Sequence, residues 1–203
     1  MWQELSYPWQ RTLELAWESY REGSLPIAAV LVDTQGRIVA SGRNRTREAS
    51  FTNRKMAHAE MDLMLQLVYD EHPDIRRYSF YTSMEPCPMC MGSIVMTDVR
   101  RVYMAVRDPW AGCSNMLQLP YVASKKMEVA FVGGSVERAA ALLYAHKELE
   151  ILQERIPEFI QCFQECYPLE FAAAAKLLTA GDLKRLAASG SEMSKVFDLL
   201  LQC

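Results

Sequence analysis

Between residues 25 and 155, short apolar runs alternate with segments of helical periodicity, and this alternation restricts the fold more than any other feature of the sequence. Helical spacing begins near residues 57, 87 and 136. The strand-like runs are IAAVLVD (27–33), RIVASG (37–42), RYSFYTS (77–83), RVYMAVRD (101–108) and MEVAFVGG (127–134). Strands that alternate with helices in this way predict a three-layer α/β domain whose later strands run parallel.

The character of the chain changes beyond Pro157. Short helical patterns follow, and Pro168, Gly181 and Gly190 separate them. We therefore expect an all-helical C-terminal extension. The boundary that we predict makes residues 1–155 the α/β domain and residues 156–203 an extension whose role the sequence does not indicate.

Composition excludes several classes of protein. Half of the 203 residues are hydrophobic, which is enough for a sizeable core. The formal charge of -3 gives no general basic surface for nucleic acid. No apolar stretch reaches the roughly 18 residues of a membrane span, and the first residues do not resemble a signal peptide. Six cysteines without a secretion signal are expected to be reduced, so we predict a cytoplasmic protein without a membrane partner.

Two short motifs predict a metal site. His58 and Glu60 lie two residues apart in the largely apolar segment MAHAEMDLML, a spacing that does not pair side chains on a helix. Cys87 and Cys90 have the C-x-x-C spacing that lets one turn direct both thiolates at a metal ion. With His58 they supply three nitrogen and sulfur ligands, which leave a tetrahedral zinc ion one open position. That is the arrangement of a catalytic zinc site.

Glu60 lies outside this ligand set and is therefore available for proton transfer. Zinc lowers the pKa of a bound water molecule from about 15.7 to about 7, which makes a nucleophile available at neutral pH. We expect Glu60 to take a proton from that water and pass it to a substrate nitrogen. The pattern H-x-E followed by P-C-x-x-C is the signature of zinc deaminases, which attack the carbon that bears an exocyclic amine.

The sequence resembles the cytidine deaminase superfamily, and within it the branch of tRNA adenosine deaminases, guanine deaminases and nucleoside deaminases. The resemblance covers roughly residues 8–150. The segments that match are LPIAAVLVD (25–33), GRNR (42–45), AHAEMDLM (57–64), SMEPCPMCMGSIV (83–95) and VYMAVRDPWAG (102–112). The resemblance implies a mixed five-stranded sheet between helices, with His58 near one helix N-terminus and the cysteine pair at another. It also implies a zinc cofactor, hydrolytic release of ammonia from a nucleobase or nucleoside, and a homodimer.

The resemblance also assigns substrate contacts. They are the amide of Asn44, the backbone N–H of Ala59 and the backbone carbonyl near Met84. Trp110 offers an aromatic face on which a planar base can stack, with core packing as the alternative role. For Asn44 the alternative is an ordinary turn residue. A small purine base or nucleoside is the favoured substrate.

Other functions stay open at the level of sequence. A tRNA adenosine-to-inosine deaminase would need basic side chains near the pocket, although solvated loop charge explains such residues equally well. The basic residues of the loop before the first metal motif are Arg43, Arg45, Arg47, Arg54 and Lys55. A non-catalytic binding module stabilised by zinc is a further alternative, and Cys113 is the nearest additional cysteine for a closed four-ligand site.

The sequence departs from the family pattern at the strand that leads to the pocket floor. Members of the branch commonly read P-x-G-A there, whereas Pro26 to Ala29 reads P-I-A-A. One added methyl group can tighten a packed floor. The departure bears on the identity of the substrate and leaves the chemistry unchanged. The extension lies outside the resemblance.

Overall fold

A computed structural model describes residues 1–151 and 157–203. Its central element is a single sheet of five strands. The strands are β1 (Ala28–Val32), β2 (Ile38–Arg43), β3 (Ser79–Met84), β4 (Arg101–Val106) and β5 (Glu128–Phe131). The sheet order is β2-β1-β3-β4-β5, in which β1 runs antiparallel to β2 and β3 whereas β3, β4 and β5 run parallel. The predicted mixed five-stranded sheet is therefore confirmed.

Helices cover both faces of this sheet. The part around the sheet contains α1 (Tyr7–Arg21), α2 (Ala59–Met64), α3 (Pro88–Met96), α4 (Pro120–Ser124) and α5 (Gly134–Glu150). On one face, α1 and α5 pack against the strands through apolar residues such as Leu13 and Leu142. On the other face, Leu63 of α2 and Ile94 of α3 share a fully buried cluster with Phe80 of β3. The predicted α/β/α layering is thus present.

The register of the strands brings several strand ends to one edge of the sheet. Ala28 at the start of β1 pairs with Arg43 at the end of β2, and Ala29 pairs with Thr82 of β3. Met84 at the end of β3 pairs with Val106 at the end of β4. The residues that follow β2, β3 and β4 therefore emerge close together. In parallel sheets this carboxyl-terminal edge is where ligands bind.

The C-terminal helices pack on the outer side of α5. They are α6 (Pro157–Cys166), α7 (Pro168–Ala180), α8 (Asp182–Ala188) and α9 (Met193–Gln202). Every residue of α5 from Ala139 to Glu148 is buried, as expected for a helix enclosed on all sides. The helical extension is therefore confirmed. The predicted boundary at residue 155 lies outside the described residues.

Two local sequence patterns predict something other than the structure shows. The helical pattern of residues 136–155 predicts a surface position for His146, but this residue is fully buried because the C-terminal helices cover α5, and burial lowers the pKa of His146 to about 4. The apolar spacing from Ala57 to about Glu71 predicts one helix, but α2 ends at Met64 and exposed residues follow it, among them Leu65 and Val68. Among the described helices, none combines the length and apolarity needed to cross a membrane.

Candidate metal centre and active site

Two helix N-termini bring the candidate metal ligands together. His58 directly precedes α2, Cys87 directly precedes α3, and Cys90 lies in the first turn of α3. Pro88 begins α3, where its missing N–H would have no helical partner. The start of a helix carries partial positive charge, which favours ionised thiols at this position. The two helices contact each other, so the three side chains converge.

The distances within this cluster fit a zinc ion. His58 Nδ1 lies 3.7 Å from Cys87 Sγ and 3.6 Å from Cys90 Sγ. A tetrahedral site with Zn–S bonds of about 2.3 Å and a Zn–N bond of about 2.0 Å separates a sulfur from a nitrogen ligand by about 3.6 Å. The three ligand atoms all lie within 4.8 Å of one another. These side chains can therefore hold the metal without rearrangement.

The three candidate ligands influence one another's protonation. The interaction with the Cys90 thiol, helped by the His58 ring and opposed by burial, lowers the pKa of Cys87 to about 4. The interaction with Cys87, together with burial, raises the pKa of Cys90. Hydrogen bonding to Cys87 likewise raises the pKa of His58. A metal ion has to displace the protons of Cys90 and His58, so its binding releases protons and weakens as the pH falls.

Glu60 lies beside the cluster as a buried carboxyl group. Its side chain is 3% exposed, and its Oε1 accepts a hydrogen bond of 3.0 Å from the hydroxyl of Thr82. The same hydroxyl lies 3.0 Å from the backbone carbonyl of Met84. Burial raises the pKa of Glu60 above its ordinary value. A raised pKa suits a carboxyl group that takes up and returns a proton near neutral pH.

Replacing Thr82 tests whether its hydroxyl holds Glu60 in place. Thr82→Val keeps the shape of the side chain and removes the hydrogen bond, so we expect kcat to fall about tenfold, the value of one hydrogen bond to a charged group. Thr82→Ser keeps the hydroxyl and should retain most of the activity. The measurement is kcat at equal zinc content. Full activity in Thr82→Val, or equal loss in both variants, would contradict this role for Thr82.

A cavity of about 860 Å³ opens over the cluster, within the size range of small-molecule sites. His58, Glu60 and Cys87 line it. Of the predicted substrate contacts, the structure places Asn44, Met84 and Trp110 in its lining as well. Ala59 is fully buried as the first residue of α2 and is not among the described residues that line the cavity.

The environments of Asn44 and Trp110 differ. Asn44 is 2% exposed, and its Oδ1 accepts hydrogen bonds from the backbone N–H of Thr46 at 3.2 Å and from the Thr46 hydroxyl at 2.7 Å. The NH₂ group is thus the end of the Asn44 amide that is available to the cavity as a donor. Trp110 is 51% exposed and stands at the rim, so it is not a core residue.

Sequence reasoning missed two acidic residues of the lining, Glu85 and Asp108. Glu85 Oε2 accepts the N–H of Asp108 at 3.2 Å, and Glu85 Oε1 accepts the N–H of Ser114 at 3.1 Å. The carboxylate therefore fixes both ends of the loop 108–114, which follows β4. At Gly112 a Cβ atom would collide with this carboxylate, so glycine permits the close approach. The sequence feature that could have identified Glu85 as a site residue is its position directly before the P-C-x-x-C motif.

Asp108 itself shapes the same loop. Its Oδ1 accepts the backbone N–H groups of Trp110 and Ala111 at 3.0 and 2.9 Å. Burial raises the pKa of Asp108. The sequence Asp-Pro before Trp110 marks such a turn, but nothing in it indicated that the carboxyl group lines the cavity.

Four of the five basic residues of the loop before α2 fall into two groups. Arg43 pairs with Glu48 and with Glu18, and Arg45 pairs with Glu48, so these charges are neutralised within the protein. Arg54 and Lys55 are exposed and line the cavity, and they have no ion-pair partner within the described part of the chain. The free positive charge of this loop is therefore concentrated at the cavity mouth.

Cys113 does not join the metal cluster. It is half-buried, and its backbone N–H donates to the carbonyl of Pro86 at 3.0 Å. The metal cluster found among the described residues consists of His58, Cys87 and Cys90. This part of the chain thus gives no fourth ligand for a closed structural site.

Comparison with known proteins gives relatives among several deaminases. A tRNA-specific adenosine deaminase of Bacillus subtilis is 36% identical over 114 residues, which cover 53% of this chain and 65% of the relative. A probable cytosine deaminase of Schizosaccharomyces pombe is 28% identical over 93 residues, 46% of this chain and 54% of the relative. The chain therefore spans less than two thirds of the length of these relatives.

Solved structures share the fold. One, from studies of A-to-I editing by tRNA:A34 deaminases, has a TM-score of 0.51 and 28% identity, and covers 59% of this chain and 92% of that chain. A guanine deaminase from Nitrosomonas europaea has a TM-score of 0.53 at 22% identity, and covers 70% of this chain and 83% of that chain. Because the guanine deaminase is only 22% identical to this chain, its similarity shows the fold alone.

A family model described as the cytidine and deoxycytidylate deaminase zinc-binding region matches residues 3–106. The matched region is about half of the 203-residue chain and includes both metal motifs. The zinc cofactor expected from the sequence thus has support from the family and from the cluster of His58, Cys87 and Cys90. The chain belongs to the cytidine and deoxycytidylate deaminase family.

Proposed function

We propose that this protein removes the exocyclic amino group of a nucleobase or nucleoside by zinc-dependent hydrolysis, with a purine as the favoured substrate. His58, Cys87 and Cys90 hold the zinc ion, and Glu60 moves the protons. The purine preference follows from the resemblance to adenosine and guanine deaminases. A cavity of about 860 Å³ is large enough for a base with its sugar.

The observation that carries this proposal is the position of Glu60. A buried carboxyl group beside a three-ligand metal cluster is costly for stability unless it has a task. Glu60 lines the cavity, where Thr82 holds its Oε1. Its carboxyl group therefore lies where it can meet both a substrate and the metal cluster. A module in which zinc only stabilises the fold would not need this residue.

The chemistry follows from these positions. When bound by the three ligands, zinc supplies a water molecule that loses a proton near neutral pH. Glu60 accepts this proton and delivers it to the ring nitrogen next to the carbon that carries the amino group, while the water oxygen forms a bond to that carbon. Glu60 then transfers the second proton of this oxygen to the amine, and the C–N bond breaks. One water molecule is consumed, an oxo group replaces the amino group, and ammonia leaves.

Side chains around the cavity orient the substrate. The NH₂ group of Asn44 donates to a ring nitrogen or a ribose oxygen. The backbone carbonyl near Met84 accepts from the amino group, and Trp110 stacks on the base from the rim. A contact with the backbone N–H of Ala59 stays a prediction.

An ammonia-release assay tests this function. The zinc-loaded protein is offered adenine, guanine, cytosine and their nucleosides, and we expect release of ammonia from at least one purine. A chelator should abolish the release and added zinc should restore it. A folded protein with one zinc ion per chain that releases no ammonia from any of these compounds would contradict the proposal and favour the non-catalytic binding module.

Editing of tRNA is a second candidate, and the positions of Arg54 and Lys55 favour it. Both cations are free at the cavity mouth, where the phosphates that flank a base in RNA would lie. Retention of the protein on tRNA should then weaken steeply with salt, and the product should contain inosine. Deamination of free bases without salt-dependent tRNA binding would exclude this candidate.

We also propose a homodimer in the cytoplasm. Exposed apolar residues lie at the ends of α2, α3 and α4, where Tyr121 contacts Met96, and large exposed apolar patches mark protein interfaces. None of the six cysteines, all of which lie in the described residues, forms a disulfide, which fits a reducing compartment. Light scattering should give twice the chain mass of 23.2 kDa, and the mass of a single chain would exclude the dimer.

A further inference from the structure

The C-terminal helices reach the cavity. Phe159 of α6 lines it together with Tyr144 of α5, and both side chains are 4% exposed. Their ring centroids lie 6.5 Å apart in an edge-to-face arrangement. Phe159 lies outside the region that the family model matches. One wall of the cavity is therefore aromatic and comes from a part of the chain that the family motifs do not cover.

A second contact joins the extension to the loop beyond β4. Tyr167, between α6 and α7, accepts a hydrogen bond of 2.8 Å from the backbone N–H of Arg107 and donates one of 3.1 Å to Glu137 of α5. Arg107 follows β4 directly and precedes Asp108. The tyrosine hydroxyl thus holds the residue from which the cavity loop begins.

This contact completes a set of anchors on the loop. Glu85 holds the N–H groups of Asp108 and Ser114, and Tyr167 holds that of the preceding Arg107. Trp110, at the cavity rim, lies between these anchors in sequence. A backbone N–H that lost its partner in this partly buried place would favour another position of the loop. Tyr167 is therefore one of the anchors of the loop that carries Trp110.

We propose that the C-terminal helices form part of the substrate pocket. Phe159 forms the wall that determines which substrates fit, and Tyr167 is a positioning residue for the loop that presents Trp110. The expected changes in KM and in the kcat/KM ratio between substrates rest on the proposed deaminase function. The structural part of the proposal, the control of the loop by Tyr167, does not depend on turnover.

Tyr167→Phe tests the positioning role in the full-length, zinc-loaded protein. The variant keeps the ring and loses the hydroxyl. Amide hydrogen exchange of the segment 107–114 should become about two- to tenfold faster, as expected for the loss of one hydrogen bond. KM should rise by a similar factor while kcat and zinc content stay unchanged. Tyr7→Phe is the matched control, because Tyr7 is exposed and lies outside the cavity lining.

Phe159→Leu tests the wall. We expect this variant to change the ratio of kcat/KM between a base and its nucleoside at least about threefold, since the two differ in size at the wall. Phe197→Leu is the matched control: Phe197 of α9 belongs to the same core, is fully buried, and does not line the cavity. It should lose similar stability and leave the ratio unchanged.

The outcomes separate the two proposals. Unchanged exchange of the segment 107–114 in Tyr167→Phe would overturn the positioning role whether or not the protein turns over substrate. An equal change of the substrate ratio in both phenylalanine variants, or no change in either, would overturn the role of the wall. A wild-type protein without any turnover would overturn the proposed function and leave the exchange result to decide on the loop.

Discussion

Glu60→Gln is expected to bind zinc fully and to lose about 10²- to 10⁴-fold in kcat, the usual contribution of a positioned acid and base. Glutamine has nearly the shape of glutamate and can accept the hydrogen bond from Thr82, so the fold and the metal ligands should be unaffected. It cannot take up a proton from water or return one. The measurement is ammonia release per zinc-loaded chain under saturating substrate.

The control for this variant is Glu71→Gln, because Glu71 is exposed and does not line the cavity. Its kcat should equal that of the wild type. The proton-transfer role of Glu60 would be wrong if Glu60→Gln retained kcat within about threefold of the wild type, a difference well below that expected of a general acid and base.

Cys90→Ser is expected to remove the metal and with it all measurable activity. Cys90 is fully buried in the first turn of α3, and a serine hydroxyl does not ionise there to replace a thiolate. Even residues that only support metal ligands change affinity by about 10- to 100-fold, so loss of a ligand should cost at least about 100-fold. Elemental analysis after dialysis should find far less than one zinc ion per chain.

Cys162→Ser is the matched control, because Cys162 is a half-buried free thiol of α6 outside the metal cluster. It should keep its zinc and its activity. Unchanged zinc content in Cys90→Ser would mean that this cysteine is not a ligand and that the three-ligand site is misidentified.

The sheet and the metal cluster could be predicted because short-range patterns determine them. Alternating strand and helix patterns specify a layered α/β fold, and the C-x-x-C spacing aims two side chains in one direction. His58 lies 29 residues before Cys87, and no local sequence rule brings two such helix ends together. Its place in the metal site could be predicted only from the known order of the deaminase motifs. The structure brings the ligand atoms of His58 and Cys87 to 3.7 Å from each other.

Long-range packing explains what could not be predicted. His146 looks like a surface residue in its own helix, and only the later helices of the chain bury it. Phe159 has the pattern of an amphipathic helix residue, and nothing local indicates that its ring reaches a cavity whose lining lies mostly between residues 25 and 111. Thr82 has the pattern of an ordinary strand residue, because its bond to Glu60 depends on the approach of α2 to the sheet.

The coordination of zinc in the purified protein, measured by X-ray absorption spectroscopy, tests the three-ligand site most directly. We expect two sulfur ligands at about 2.3 Å and two nitrogen or oxygen ligands at about 2.0 Å, one from His58 and one from water. A third or fourth sulfur, such as that of Cys113, would contradict this expectation, because the position required for hydrolysis would then be closed.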